Sequence, residues 1–164
     1  MKAIFARVNE LQRVTDPVSR PYESKYKARE LLQDAVRRLK PQPVDAARAD
    51  FRLGVIAMDV EEQHEAETSL NAAAATFFPG LIEAVKAGAG DEHDPVAAAA
   101  QQAASEIVEA LPREATGFVP AAAALAFPGE AMDLLNHLGI LWSQRECPRR
   151  ALFYLLASTQ MYEA

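Results

Sequence analysis

One pattern occurs twice in this chain, and it constrains the fold more than any bulk property does. Leu53-Gly54 is followed by Ala66, twelve residues after the glycine, and by Leu70 four residues later. Leu138-Gly139 is followed at the same spacing by Ala151 and Leu155. Glycine has no Cβ, so a second helix can come close to the first at that point. A small alanine belongs where the helices cross, and a large apolar residue fills the groove beside them. Two copies in one register predict antiparallel helical hairpins, and scaffolds of that kind serve binding far more often than catalysis.

Composition points the same way. Half of the 164 residues are hydrophobic, largely through alanine, and only seven are glycine. Alanine is the best helix former and is depleted in strands, so the expected fold class is all-α. The Leu-Gly…Ala…Leu spacing is the skeleton of a tetratricopeptide unit, so the hairpins are expected to form part of an α-solenoid. The two glycines lie 85 residues apart, which makes the units non-consecutive. The reading is a single helical domain over 1–164, with an alanine-rich interval at 79–129 and a flexible loop near 87–95.

Charge and cysteine content remove whole classes of function. A net charge of −6 argues against nucleic-acid binding, which needs a basic face to displace counterions. The one cysteine, Cys147, leaves no internal disulfide and fits a reducing compartment. No run approaches eighteen apolar residues, so no membrane span is expected. Lys2, Arg7, Glu10 and Arg13 interrupt the N-terminal segment, which is therefore not read as a signal peptide, and a cytoplasmic location follows.

Along the chain, Ile4, Phe5, Val8 and Leu11 have helical spacing, so a helix is expected over 2–14, ended by Asp16-Pro17. A second, at 22–40, is expected to turn Tyr22, Tyr26, Leu31, Leu32, Ala35, Val36 and Leu39 to a core, with Pro41 and Pro43 as its stop. The first hairpin is placed at 44–59 and 62–78, the second at 130–145 and from 148 to the end. Pro148 suits a first helical turn, where a missing N–H costs nothing. Shorter helices are expected near 80–87 and 96–111.

Possible catalytic signals dissolve on inspection. Ala87-Gly88-Ala89-Gly90 lacks the third glycine and the lysine of a phosphate loop, and reads as a linker. His64, His93 and His137 stand far apart with no partner at ligand spacing, so no metal is implied. Cys147 has no histidine motif beside it and reads as a plain thiol. Glu61, Glu62, Glu65 and Glu67 are taken to open a helix as a solvated acidic face. The second helix is basic through Lys25, Lys27, Arg29, Arg37, Arg38 and Lys40, which suggests solubility or an acidic partner. Trp142, three residues after Gly139, is expected to pack within its hairpin. No acid–base, nucleophile or metal constellation can be assembled, so the chain is not read as an enzyme and no cofactor is expected.

Three ordered strings resemble the KIF-binding proteins, the kinesin-binding tetratricopeptide family. They are Pro21-Tyr22-Glu23-Ser24-Lys25-Tyr26-Lys27-Ala28-Arg29-Glu30-Leu31-Leu32, then Phe51-Arg52-Leu53-Gly54 with Asp59-Val60-Glu61-Glu62, and finally Asn136-His137-Leu138-Gly139-Ile140-Leu141-Trp142-Ser143-Gln144-Arg145-Glu146. The resemblance covers roughly 20–70 and 130–164, with a longer interval between than the family has, and implies the N-terminal part of a longer superhelix. It also implies a function: binding kinesin motor domains and blocking their attachment to microtubules, in a cytoskeleton-associated setting. The first helix of each pair lines the inner face in tetratricopeptide units. That register makes Arg48, Asp59, Asp133, Asn136 and Gln144 the candidate partner-binding residues. Phe51, Val55 and Ile140 fall on the same face. A generic tetratricopeptide module for a peptide or chaperone terminus is the second reading, disfavoured because Asp59 and Asp133 would repel a carboxylate.

Overall fold

The computed structural model describes residues 1–89 and 120–163. Eight helices and no strand occur among them: α1 (Lys2–Gln12), α2 (Glu23–Leu39), α3 (Pro43–Asp59), α4 (Gln63–Phe77), α5 (Leu81–Ala89), α6 (Ala122–Ala126), α7 (Pro128–Gln144) and α8 (Pro148–Glu163). The all-α expectation holds. The helix expected at 96–111 lies outside the described residues. Residues 87–89 of the expected loop belong to α5, and residues 90–95 lie outside the described residues. Proline opens α3, α7 and α8, so Pro43, expected as a stop for α2, also starts the next helix.

The chain divides into two compact units, Met1–Thr76 and Phe77–Ala164. In the first, Phe5 and Val8 of α1, Ala28 and Leu32 of α2, and Ala49 and Ile56 of α3 form one buried cluster. The buried stripe of α2 is Ser24, Ala28, Leu32 and Ala35. Tyr22, Tyr26 and Leu39 were expected in the core but are exposed. Small side chains at 24 and 28 let α1 and α3 pack close, and the tyrosines are turned outward.

The first turn of α2 is capped from a distance. Tyr22 stands at the cap position in a left-handed conformation, φ 67°, and its side chain caps nothing. Asp16 does the capping: its Oδ2 accepts the Ser24 backbone N–H at 3.0 Å and the Ser24 hydroxyl at 2.6 Å. The Lys25 ammonium donates to the Gln12 carbonyl, tying α2 to the end of α1.

In the second unit, Leu81, Val85 and Ala89 of α5, Leu134, Leu135, Leu138 and Leu141 of α7, and Phe153, Tyr154 and Ala157 of α8 are buried. Gly88, read from sequence as part of a linker, is a packing residue. A Cβ there would lie 2.4 Å from Phe153 Cζ.

Candidate functional site

The two hairpins are built alike. A Cβ on Gly54 would lie 2.6 Å from Leu70, and one on Gly139 would lie 2.8 Å from Leu155. The leucine rather than the alanine meets each glycine face to face, while Ala66 and Ala151 are buried nearby. Leu53 is half-buried, and Leu138 and Trp142 are in the core. Leu70 is fully buried, whereas Leu155 is 42% exposed and Ile140 45%.

The equivalence extends into the turns. After α3, the Glu62 N–H donates to Ala57 O at 2.8 Å and the Glu61 N–H to Met58 O at 3.1 Å. After α7, the Cys147 N–H donates to Trp142 O at 2.9 Å and the Glu146 N–H to Ser143 O at 3.1 Å. Both are Schellman closures with a residue in the left-handed region, Glu61 at φ 64° and Glu146 at φ 59°. Glycine normally marks this position, and a glutamate there gives no sequence signal.

The candidate partner-binding residues fall into two groups. Asp59, Asp133 and Gln144 are exposed on α3 and α7, and Asn136 is half-buried. His137 approaches the Asp133 carbonyl through Nδ1 at 2.6 Å, which fixes the ring one turn along α7. Arg48 is engaged inside the first unit: it pairs with Asp45 at 3.2 Å, and its guanidinium lies 4.8 Å from the centre of the Phe5 ring. Arg52, which is buried, lies 4.2 Å from the same ring, donates to the Arg48 carbonyl at 3.0 Å and reaches Asn9 Oδ1 at 3.4 Å. Phe51 is buried, and Val55 is half-buried. Asp50 is half-buried, and burial pushes its carboxyl above the ordinary aspartate value.

The acidic run beyond α3 is not one solvated face. Glu61 is the turn residue and Glu65 lies in the first turn of α4, but Glu62 pairs with Arg29 of α2 at 2.5 Å. Much of the basic charge of α2 is matched locally: Lys27 with Glu23, and Arg37 and Arg38 with Asp34. Among the described residues no group of histidine, cysteine and carboxylate side chains could hold a metal ion, and no helix is long and apolar enough to cross a membrane.

These features define a protein of repeated helical hairpins that presents polar residues on the first helix of each pair. The chain is similar to proteins named KIF-binding protein. It is 31% identical over 156 residues to the KIF-binding protein of Mus musculus and 30% identical over 156 residues to that of Rattus norvegicus. Each alignment takes in 90% of this chain and 22% of the relative, so the chain spans about a fifth of the length of the curated relatives it matches. The likeness therefore reaches beyond the two blocks read from sequence, and at least part of the 79–129 interval is aligned. No family model matches the chain, and no solved structure matches it.

Proposed function

We propose that this chain is a non-enzymatic adaptor segment that binds a kinesin motor domain and holds it off the microtubule, restraining microtubule-based transport. The likeness to KIF-binding protein over 90% of the chain is the observation that carries this reading. The hairpin scaffold supports it, since stacked hairpins offer extended surfaces for binding proteins. Electrostatics support it too. The microtubule is acidic, so the motor surface that grips it is basic, and exposed Asp59 and Asp133 are the right complement. The mechanism is occlusion: Asp59 on α3, and Asp133, Asn136 and Gln144 on α7, take contacts that tubulin would otherwise make, in a tetratricopeptide-like arrangement. No nucleotide, metal or cofactor enters the process, and the place of action is the cytoplasm, beside the cytoskeleton. The test is co-sedimentation of a kinesin motor domain with microtubules under rising amounts of this chain. The motor is expected to move into the supernatant. A panel of motors that pellets undiminished at every ratio, with this chain folded, would defeat the proposal.

A further inference from the structure

Helix α2 turns one continuous line of side chains to solvent. Tyr22, Tyr26, Gln33, Arg37 and Lys40 recur at helical spacing from one cap to the other, opposite the buried stripe of Ser24, Ala28, Leu32 and Ala35. All five are exposed, the tyrosines at 36% and 42%. Residues 20–40 hold seven basic and three acidic side chains, in a chain whose net charge is −6. The local excess of positive charge therefore runs against the character of the whole molecule.

Neighbouring lines of the same helix differ in how their charge is balanced. Glu23, Glu30 and Asp34 fall on the adjoining line, where Glu23 pairs with Lys27 at 2.8 Å and Asp34 with Arg38 at 2.9 Å. Arg29 is held by Glu62, and its guanidinium lies 5.4 Å from the centre of the Tyr26 ring, which steadies that tyrosine. Arg37 comes no nearer than 3.5 Å to Asp34, a carboxylate it shares with Arg38, and 75% of its side chain is exposed. Exposed pairs of that kind are weak, and one carboxylate cannot neutralise two guanidiniums. Lys40 is exposed and makes no ion pair among the described residues. The line thus has an aromatic end at Tyr22 and Tyr26 and a cationic end at Arg37 and Lys40.

We infer that this face of α2 docks a segment of a partner protein that is apolar at one end and acidic at the other. Tyrosine and arginine are the residues most favoured at protein interfaces, the first for rigid contact area and the second for paired hydrogen bonds to carboxylates. From Tyr22 to Lys40 the line runs about 27 Å at 1.5 Å per residue, which an extended segment of about eight residues covers. Its apolar side chains lie on the tyrosines and its carboxylates meet Arg37 and Lys40. A polyanion such as nucleic acid is a poorer fit, because the adjoining line of Glu23, Glu30 and Asp34 repels a uniformly charged strand. The motor surface considered above is basic and does not suit this face. The inference therefore concerns a second partner and fails or holds separately from motor binding.

The probe is a fluorescein-labelled octapeptide with two phenylalanines at one end and four glutamates at the other, made in both orders and titrated with the whole chain by fluorescence anisotropy. Saturable binding of at least one order is expected, weaker at higher salt. Arg37→Gln/Lys40→Gln should raise the midpoint about tenfold, through lost charge-assisted hydrogen bonds. Tyr26→Ala should raise it about threefold, through lost contact area. Both changes are at exposed positions, and Lys40→Gln alone gives the readout if the double variant fails to fold by circular dichroism. Absence of saturable binding in either order overturns the inference, as does a folded double variant that binds like the parent. Tighter binding of a DNA oligonucleotide overturns the assignment to a protein segment. Self-association of the chain that Arg37→Gln/Lys40→Gln abolishes overturns it too, giving the face to a second copy.

Discussion

Leu70 packs so closely against Gly54 that a methyl group there would lie 2.6 Å from the leucine side chain and 3.2 Å from its backbone nitrogen. Leu70 is fully buried and has nowhere to retreat, so Gly54→Ala should cost about 1–3 kcal/mol of stability through overpacking. Gly139 meets Leu155 at 2.8 Å, but Leu155 is 42% exposed and can swing outward. Alanine also gains about 1 kcal/mol over glycine in helix propensity. Gly139→Ala should therefore cost much less than Gly54→Ala, whereas Gly139→Leu overpacks the crossing and should cost more than either. Urea titrations of the three variants decide this, and equal midpoints for the two alanine variants would refute it. The turn glutamates behave oppositely. A side chain at positive φ costs roughly 1–2 kcal/mol, so Glu61→Gly and Glu146→Gly should each stabilise by up to about 1 kcal/mol in the same assay. Asp50 gives a pH signature. Its carboxyl is raised by burial, so the fold favours the protonated form; that contribution is present at low pH and lost as pH rises through the raised value. Asp50→Asn should raise the melting temperature at pH 7 and change it little near pH 3.

At the scale of the elements, the hairpins were legible and their closures were not. Glycine at 54 and 139 announces close approach because a bare Cα lets the facing leucine come within contact of the backbone. The Schellman turns carry glutamate, a residue that favours no left-handed position and so leaves no trace in the sequence. The buried face of α2 was misread for a related reason. Tyr22 and Tyr26 are the conspicuous apolar residues, but the close packing needs Ser24 and Ala28, whose small size is visible only with neighbours in place. Asp16 looked like a helix stop because proline follows it, yet it caps α2 from eight residues upstream, a contact no local pattern contains. Asp16→Ala should cost about 0.5–2 kcal/mol, the usual range for a lost cap, and it also strands the buried Ser24 hydroxyl. Amide exchange in residues 23–27 should accelerate in that variant; unchanged protection would mean that another group caps the helix. Register placed Asp59, Asp133 and Gln144 on first helices, where they are exposed. The engagement of Arg48 was not legible, since it leans on Phe5, a residue of another helix.

At the scale of the molecule, charges of opposite sign occupy different parts of the hairpins. Asp59 and Asp133 lie on the first helices, and Arg145, Arg149 and Arg150 lie at the second turn and helix start. If the first helices meet the motor, affinity should depend on salt through the aspartates. Asp59→Lys/Asp133→Lys should weaken motor binding about tenfold and flatten its salt dependence, because opposed charges at a contact steer association and like charges there cost several kcal/mol. The motor titration with this chain should extend to micromolar concentrations and above. Both exposed aspartates sit on helices whose cores they do not enter, so the reversed variant should fold, and circular dichroism verifies that first. A folded Asp59→Lys/Asp133→Lys chain that binds the motor with unchanged affinity and salt slope would remove these residues from the interface. The same result would leave occlusion to be sought on another face of the hairpins.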